Sequence, residues 1–428
     1  MLHTIGKASI QDLFRDIKGS LRHDIDESLP EGMHERDVFR HLKNISAQNI
    51  LPRTSFAGGG MYHHFIPATV DAVISRSEFF TSYTPYQPEV SQGNLQAIYE
   101  YQTMICRLLG MEVSNASLYD GATAVAESLL MSVHITGKRE VCIAENLNPE
   151  YLAVCKTYCE AVDISINIIP TKNGSVDIKA LQGMLSEHTA GVIVQSPNFF
   201  GIIEDLDTVR KCVRTSPAMF IVAFSEALAW GLLEPPGSFD ADIAAGEGQS
   251  LGIPVQFGGP GLGIMACKQK YMRKMPGRIC GATVDTQGNR GFVLTLQARE
   301  QHIRRESANS NICSNHALCA LAASVYMATL GTQGMLDAAH QSMLLAHHAH
   351  EQLCGVRGIE PLYAHDFFNE FVIKVPDIRG KYTRLAGEGI VPGILLEEMY
   401  PNMKDCLLVS CTEMNTGQDI LELAKGLS

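Results

Sequence analysis

Between Val141 and Gly246, short apolar runs alternate with stretches whose apolar positions recur three and four apart. VCIAEN (141–146), ISINIIP (164–170), GVIVQS (191–196), MFIVAF (219–224) and ADIAAG (241–246) are short and almost wholly apolar, the pattern of strands buried on both faces. The segments between them predict helices over 149–161, 177–187 and 205–214. Strands alternating with helices predict a mostly parallel sheet covered on both sides, an α/β domain. Ahead of it, a Gly- and Pro-punctuated stretch leads into LQAIYEYQTMICRLLGM (95–111), a long helix. Beyond about residue 316, two long helical segments precede FNEFVIKVP, CLLVSC and a last helix in GQDILELAKGLS, which predicts a smaller α+β domain. The first fifty residues carry short helical patterns, with Ser9 as N-cap of IQDLFRDI and Glu35 opening RDVFRHLKNI. They are too short to bury a core alone. The expected organisation is a helical arm over 1–56, a large α/β domain over 57–315 and a small C-terminal domain over 316–428.

Composition narrows the class. With 46% apolar and 19% charged residues and a mean hydropathy of +0.02, the 428-residue chain has enough apolar surface for a large core. A net charge of −12 argues against nucleic acid or an anionic membrane as partner. MLHTIGKASIQDLF lacks the pattern of a secretory signal, and HALCALAASVYMATLG (316–331) is too short to span a bilayer. Twelve cysteines without a CxxC read as reduced thiols of a cytoplasmic protein, with no metal site.

Several motifs offer chemistry alongside plainer readings. GEGQSLG (246–252) imitates a dinucleotide turn, but Pro254 and the glycines from 258 on deny it the helix that such a turn must open. HHAH (347–350) reads as a solvated helix face, and Cys155 and Cys159 as buried structural thiols. In YDGATAVAESLLM, Asp120 and Gly121 make a turn and Thr123 sits in a helix start of small residues. That start is either an ordinary Asp-capped helix or a place for a phosphate. QSPNFFGIIEDLD ends another strand in a polar turn, and such turns cluster around a site at the carboxyl edge of a parallel sheet.

Together with the glycine loop at 246–263, these features suggest a pyridoxal-phosphate enzyme with a large and a small domain. Such an enzyme needs a lysine amine for the cofactor, an acid against the pyridine nitrogen and a flat side chain on the ring. Glu226 stands where the acid belongs, and Asn148 where the stacking group belongs. Between Lys211 and Lys268 there is no lysine at all.

FAGGGMYHHFIPATVDAVISRSEFFTSYTPYQPEVSQGNLQAIYEYQT, LLEPPGSFDADIAAGEGQSLGIPVQFGGPGLG and MPGRICGATVDTQGNRGFVLTLQAREQHIRRESANSNICSN closely resemble the glycine cleavage system P-protein family. The whole chain is similar to subunit 1, the alpha half of the two-subunit form. The resemblance implies the fold of pyridoxal-phosphate-dependent transferases (fold type I). It also implies a homologous second subunit carrying the lysine, and an α2β2 assembly that decarboxylates glycine and hands the aminomethyl group to the lipoyl H-protein. Against the partner's NLHKTF-type segment, Gln249 falls near the histidine and Ser250 at the lysine position. A hydroxyl cannot form an imine, so this chain alone is expected to be inactive, with pyridoxal phosphate held by the partner subunit. Asp120, Gly121, Thr123, Asn148, Glu226, Gln249 and Ser250 would then line a degenerate pocket.

The residues expected to reach the partner's site are Tyr83 and Tyr86 in a Pro-rich loop, Arg299 as a carboxylate clamp, and Asn309, Ser310 and Asn311 as uncharged donors. Arg299 and Glu300 read equally well as an interface ion pair. The chain departs from the family pattern at His63, Asn148, Glu226–Ala227 and Ser307–Asn309, which leaves a diverged scaffold or regulatory paralogue as the alternative. An autonomous enzyme using an unexpected lysine is a third reading. Finally, KQKYMRKMPGR (268–278) carries five cations and no acid; it is either a solvated helix face or a docking surface for an acidic carrier.

Overall fold

The computed structural model describes residues 1–22 and 29–428. The chain forms two compact units, Met1–Leu51 and Pro52–Ser428. In the first, the expected helix after Ser9 shortens to 3₁₀ turns at Gln11–Phe14 and Gly19–Leu21. Asp12 there accepts the Ala8 and Ser9 N–H groups without a helix extending beyond it. Residues 23–28 of the predicted arm lie outside the described residues. Glu35–Ser46 is a helix as expected, and Val38, Phe39, Leu42 and Ile45 on it are exposed.

The second unit is built on a seven-stranded sheet. Its order is Val113–Ser114, Gly263–Cys267, Ile243–Glu247, Met219–Phe224, Thr189–Gln195, Glu140–Ala144 and Ser165–Ile169. The five strands from 243–247 to 165–169 are mutually parallel, and Gly263–Cys267 runs antiparallel to both its neighbours. Every residue of the 189–195, 219–224 and 243–247 strands is buried, because helices cover both faces. Alternate residues feed two cores. Cys142, Val192, Phe220 and Ala244 belong to one core, shared with the helices Gln92–Leu109 and Leu206–Val213, while Val141, Ile143, Ile193 and Ile221 belong to the other, with the helices Gly121–Thr136 and Pro149–Glu160.

The C-terminal part is a four-stranded antiparallel sheet with its own core. Its separation from the large domain does not fall at residue 316. The two expected helical segments are both present within Ala317–Cys354, meeting at a kink at Gly331 (φ 62°, ψ −175°), a conformation that glycine adopts freely. Ala320 to Ala339 pack into the large core, and Ala346 to Leu353 into the C-terminal one. Thr54–Ser55, at the end of the expected arm, pairs in parallel with Ile390–Val391, and Phe56 joins the C-terminal core. Local periodicity cannot reveal a pairing more than three hundred residues apart.

Two plainer expectations change as well. His347 stacks on Phe367 at 4.1 Å, and His350 meets Phe371 edge-on, so these histidines are packing groups on a half-buried face. The basic stretch is not a free charged surface throughout. Lys268 lies 2.6 Å from Asp240 and 2.8 Å from Asp242, and Arg278 is buried.

Candidate functional site

The parallel strands end on a buried polar cluster. The 243–247 strand delivers Glu247, Gln249 and Ser250 into it, and the 121–136 helix presents its N-terminus from the side. Asp120 caps that helix, its Oδ1 accepting the Thr123 N–H at 2.7 Å. The Gly121 N–H donates instead to Glu247 Oε2 at 2.8 Å. Glu247 Oε1 accepts three further N–H groups, from Gly248 (3.1 Å), Gln249 (2.9 Å) and Leu262 (2.7 Å). Burial pushes this carboxyl above the ordinary range while the N–H donors pull it back. Gly121 must be glycine, since a Cβ there would lie 2.3 Å from the Tyr151 hydroxyl.

The segment Gly58–His64 runs through the same cluster. The Gln249 amide clasps Tyr62, accepting its N–H at 2.9 Å and donating to its carbonyl at 3.0 Å. The Tyr62 hydroxyl donates to Glu370 at 2.7 Å, and burial pushes the Glu370 carboxyl up to about 7. Asn148 caps the 149–160 helix, and its side-chain amide donates to the Gly59 carbonyl at 3.0 Å. Glu226 accepts the Leu228 N–H at 2.8 Å and meets His64 Nε2 at 2.9 Å. Glu413 holds the other ring nitrogen at 2.7 Å. Burial opposes a charge on His64, but the two carboxylates outweigh it and raise its pKa to about 10.

The residues do not fit pyridoxal phosphate. No amine replaces Ser250, whose buried hydroxyl has no hydrogen-bond partner among the described residues. The helix N-terminus that would receive a phosphate already holds two carboxylates, the Glu226 carboxylate is engaged, and the Asn148 amide is tied to Gly59. Lys268 offers no substitute amine, because it is paired with Asp240 and Asp242.

A second group of residues lies on the outer side of the domain. Arg273, Lys274, Arg299, Arg304, Ser307 and Asn309 line a cavity of about 390 Å³. Arg299 donates to the Met275 carbonyl, while its buried Nε and Nη2 have no partner among the described residues. Asn309, Ser310 and Asn311 also border a cavity of about 480 Å³. Its wall includes Glu127, which burial pushes up to about 7. Tyr86 accepts a 2.9 Å bond from Arg278, which also holds the Cys313 carbonyl at 2.6 Å. Tyr83 is largely exposed and borders a separate hollow with Phe79 and Asn94. Glu300 lies 3.8 Å from Arg278 and 3.6 Å from His302.

Residues 1–427 match the family described as glycine cleavage system P-protein. The chain belongs to this family. Over 430 residues it is 49% identical to a probable glycine dehydrogenase (decarboxylating) subunit 1 of Anoxybacillus flavithermus, covering 100% of this chain and 96% of that protein. A protein of the same name from Carboxydothermus hydrogenoformans is 45% identical over 429 residues, with the same coverage. A crystal structure of glycine decarboxylase (P-protein), in inhibitor-bound form, superposes with a TM-score of 0.90 at 41% identity, over 100% of this chain and 96% of that one. A Lactobacillus brevis glutamate decarboxylase, at a TM-score of 0.70 and 14% identity, shares the fold alone; it covers 96% of this chain and 95% of that one. The α/β architecture with its mixed, mostly parallel sheet is thus that of the pyridoxal-phosphate enzymes of fold type I.

Within this P-protein chain, the seven residues expected in the pocket do converge at one end of the sheet. The outer residues divide into Arg299 with Asn309, Asn309 with Ser310 and Asn311, and Tyr86 with Arg278, while Tyr83 stands apart. Sequence reading missed Glu247, Tyr62, His64, Glu370 and Glu413. Glu247 carried a signal, since an acid ending an apolar strand must find donors. The other four come from opposite ends of the chain and had none.

Proposed function

We propose that this chain is subunit 1, the alpha subunit, of a two-subunit glycine dehydrogenase (decarboxylating) of the glycine cleavage system. It pairs with a homologous lysine-bearing subunit, and the assembly decarboxylates glycine, releases CO2 and transfers the aminomethyl group to the lipoyl group of H-protein. The observation that carries this reading is Ser250, a partnerless hydroxyl at the lysine position of a pocket filled by the chain's own side chains. Relatives named subunit 1 support it along the full length. Alone, the chain is inactive and holds no pyridoxal phosphate; the partner subunit holds that cofactor, which supplies the electron sink for carboxylate loss.

This chain's own contribution is positioning. The two free N–H faces of Arg299 offer a fork for a carboxylate, and Asn309, Ser310 and Asn311 offer uncharged donors toward the partner's cofactor. Tyr83 and Tyr86 present phenol groups from an exposed loop. Lys270, Arg273 and Lys274 remain as the cations that would meet the acidic carrier. Among the described residues no helix is long and apolar enough to cross a membrane, and we place the assembly in the cytoplasm. The test is glycine–bicarbonate exchange by the co-purified subunits. Arg299→Ala and Asn309→Ala, made singly, should each cut exchange at least tenfold while the assembly stays intact. Unaltered exchange would remove the site role from these residues. An assembly that forms without any exchange would mark the chain as a scaffold.

A further inference from the structure

We propose that Glu247 stands in for a cofactor phosphate, so that the subunit's own pocket is closed to phosphate-bearing cofactors by a built-in anion as well as by the missing lysine. This goes beyond the reading above and holds whether or not Arg299 and Asn309 serve the partner.

In a sheet of this topology, phosphate groups are held where a helix N-terminus and a glycine loop turn their N–H groups toward one point. Here that point is occupied. Glu247 gathers four N–H donors from three separate segments, Gly121 at the helix start, Gly248 and Gln249 in the glycine loop, and Leu262 before the next strand. Both oxygens accept in these bonds, and such bonds favour the charged carboxylate against the burial that opposes it. Asp120 takes the Thr123 N–H, and the Ala124 N–H bonds the Asp120 carbonyl within the helix. A phosphate dianion arriving here would find the Gly121 and Thr123 donors taken and two negative charges in place.

The glycines on either side leave room for this residue. A Cβ on Gly121 would come within 2.8 Å of the Glu247 Cβ and backbone nitrogen, and one on Gly261 within 3.0 Å of its Oε2. Glu247 is almost completely buried, and a buried carboxylate is costly unless its hydrogen bonds are met. Four are met, so the loop keeps a phosphate-binding shape while supplying its own anion. The space beyond is closed by the chain as well, with Tyr62 clasped by Gln249 and Asn148 tied to Gly59.

The test uses the full-length chain with inorganic phosphate as probe, chloride at matched ionic strength as control, and thermal unfolding as readout. The wild-type chain should show no phosphate-specific rise in melting temperature. Glu247→Gly, which removes the carboxylate and leaves the four N–H donors, should melt lower than wild type and regain several degrees in phosphate, a ligand-linked shift. Should that variant misfold on its own, refolding in phosphate should recover it and refolding in chloride should not. In a second arm, Ser250→Lys alone should retain no pyridoxal phosphate through gel filtration. The proposal is overturned if the wild type shows the phosphate-specific shift, if Glu247→Gly gains nothing from phosphate, or if Ser250→Lys by itself retains the cofactor in stoichiometric amount.

Discussion

Replacing His64 by glutamine tests whether a charged histidine holds the pocket closed. The side chain is 2% exposed, with Glu226 on one ring nitrogen and Glu413 on the other. Burial works against the charge, yet the carboxylates raise the pKa from 6.5 to about 10. The folded state therefore keeps a proton that the unfolded chain has shed above about pH 6.5. A raised pKa contributes stability that is complete below the unfolded value and is lost as pH climbs through the folded one. At roughly 1.4 kcal/mol per pKa unit, raising the pH from 7 to 9 should remove about 2 to 3 kcal/mol of the His64 contribution. At pH 7, His64→Gln leaves the buried Glu226 and the half-buried Glu413 without a counter-ion and should cost about 3–5 kcal/mol. Urea unfolding of the full chain and the variant at both pH values gives the comparison. The stability gap between them should be widest at pH 7 and shrink by pH 9. Equal gaps at the two pH values would refute a charged His64, and no gap at either would refute the buried triad.

Other expectations concern the frame around this cluster. Gly121→Ala drives a methyl group against Tyr151 and Glu247 and should cost about 1–3 kcal/mol, seen as a lower urea midpoint; an unchanged midpoint would deny the close approach. Asp120→Ala removes the cap of the 121–136 helix and should cost about 1 kcal/mol, while Asp120→Asn should restore most of it; equal losses would show that capping is not the role. Arg278 ties Tyr86 to Cys313, so Arg278→Met should expose the 83–86 loop to limited proteolysis; wild-type cleavage rates would contradict that tie.

The central sheet was legible because its signal is local. VCIAEN, GVIVQS and MFIVAF are apolar at nearly every position, and strands covered on both faces demand that composition. The helix start at Gly121 was legible for the same reason, since Asp120 and Gly121 form a turn that caps the helix they precede. How the 317–354 stretch is shared between two cores was not legible. Its first half packs against the large core and its second half against the small one, and periodicity shows that a helix has an apolar face without showing what the face meets. The parallel pairing of Thr54–Ser55 with Ile390–Val391 escapes any local pattern.

The candidate site divides along the same line. Ser250 drew notice in the sequence because a loop without a lysine cannot form an imine. The group that fills the pocket could not, because it draws Tyr62 and His64 from before the sheet and Glu370 and Glu413 from after it. The consequence for the basic stretch is similar. Five cations in eleven residues suggested either a solvated helix face or a docking surface; Lys268, however, is paired with Asp240 and Asp242, and Arg278 is buried against Tyr86 and Cys313. Those two charges hold the fold together. The cations left for an encounter are Lys270, Arg273 and Lys274, and the last two also border the Arg299 cavity. A carrier drawn to them would arrive beside the residues proposed to serve the partner's site, which gives the surface charge and Arg299 a common place on the molecule. Reversing Lys270 to glutamate, outside that cavity, should therefore slow carrier encounter at low salt and leave glycine–bicarbonate exchange at saturating carrier unaltered; a loss at saturation would mean that the stretch acts in the site itself.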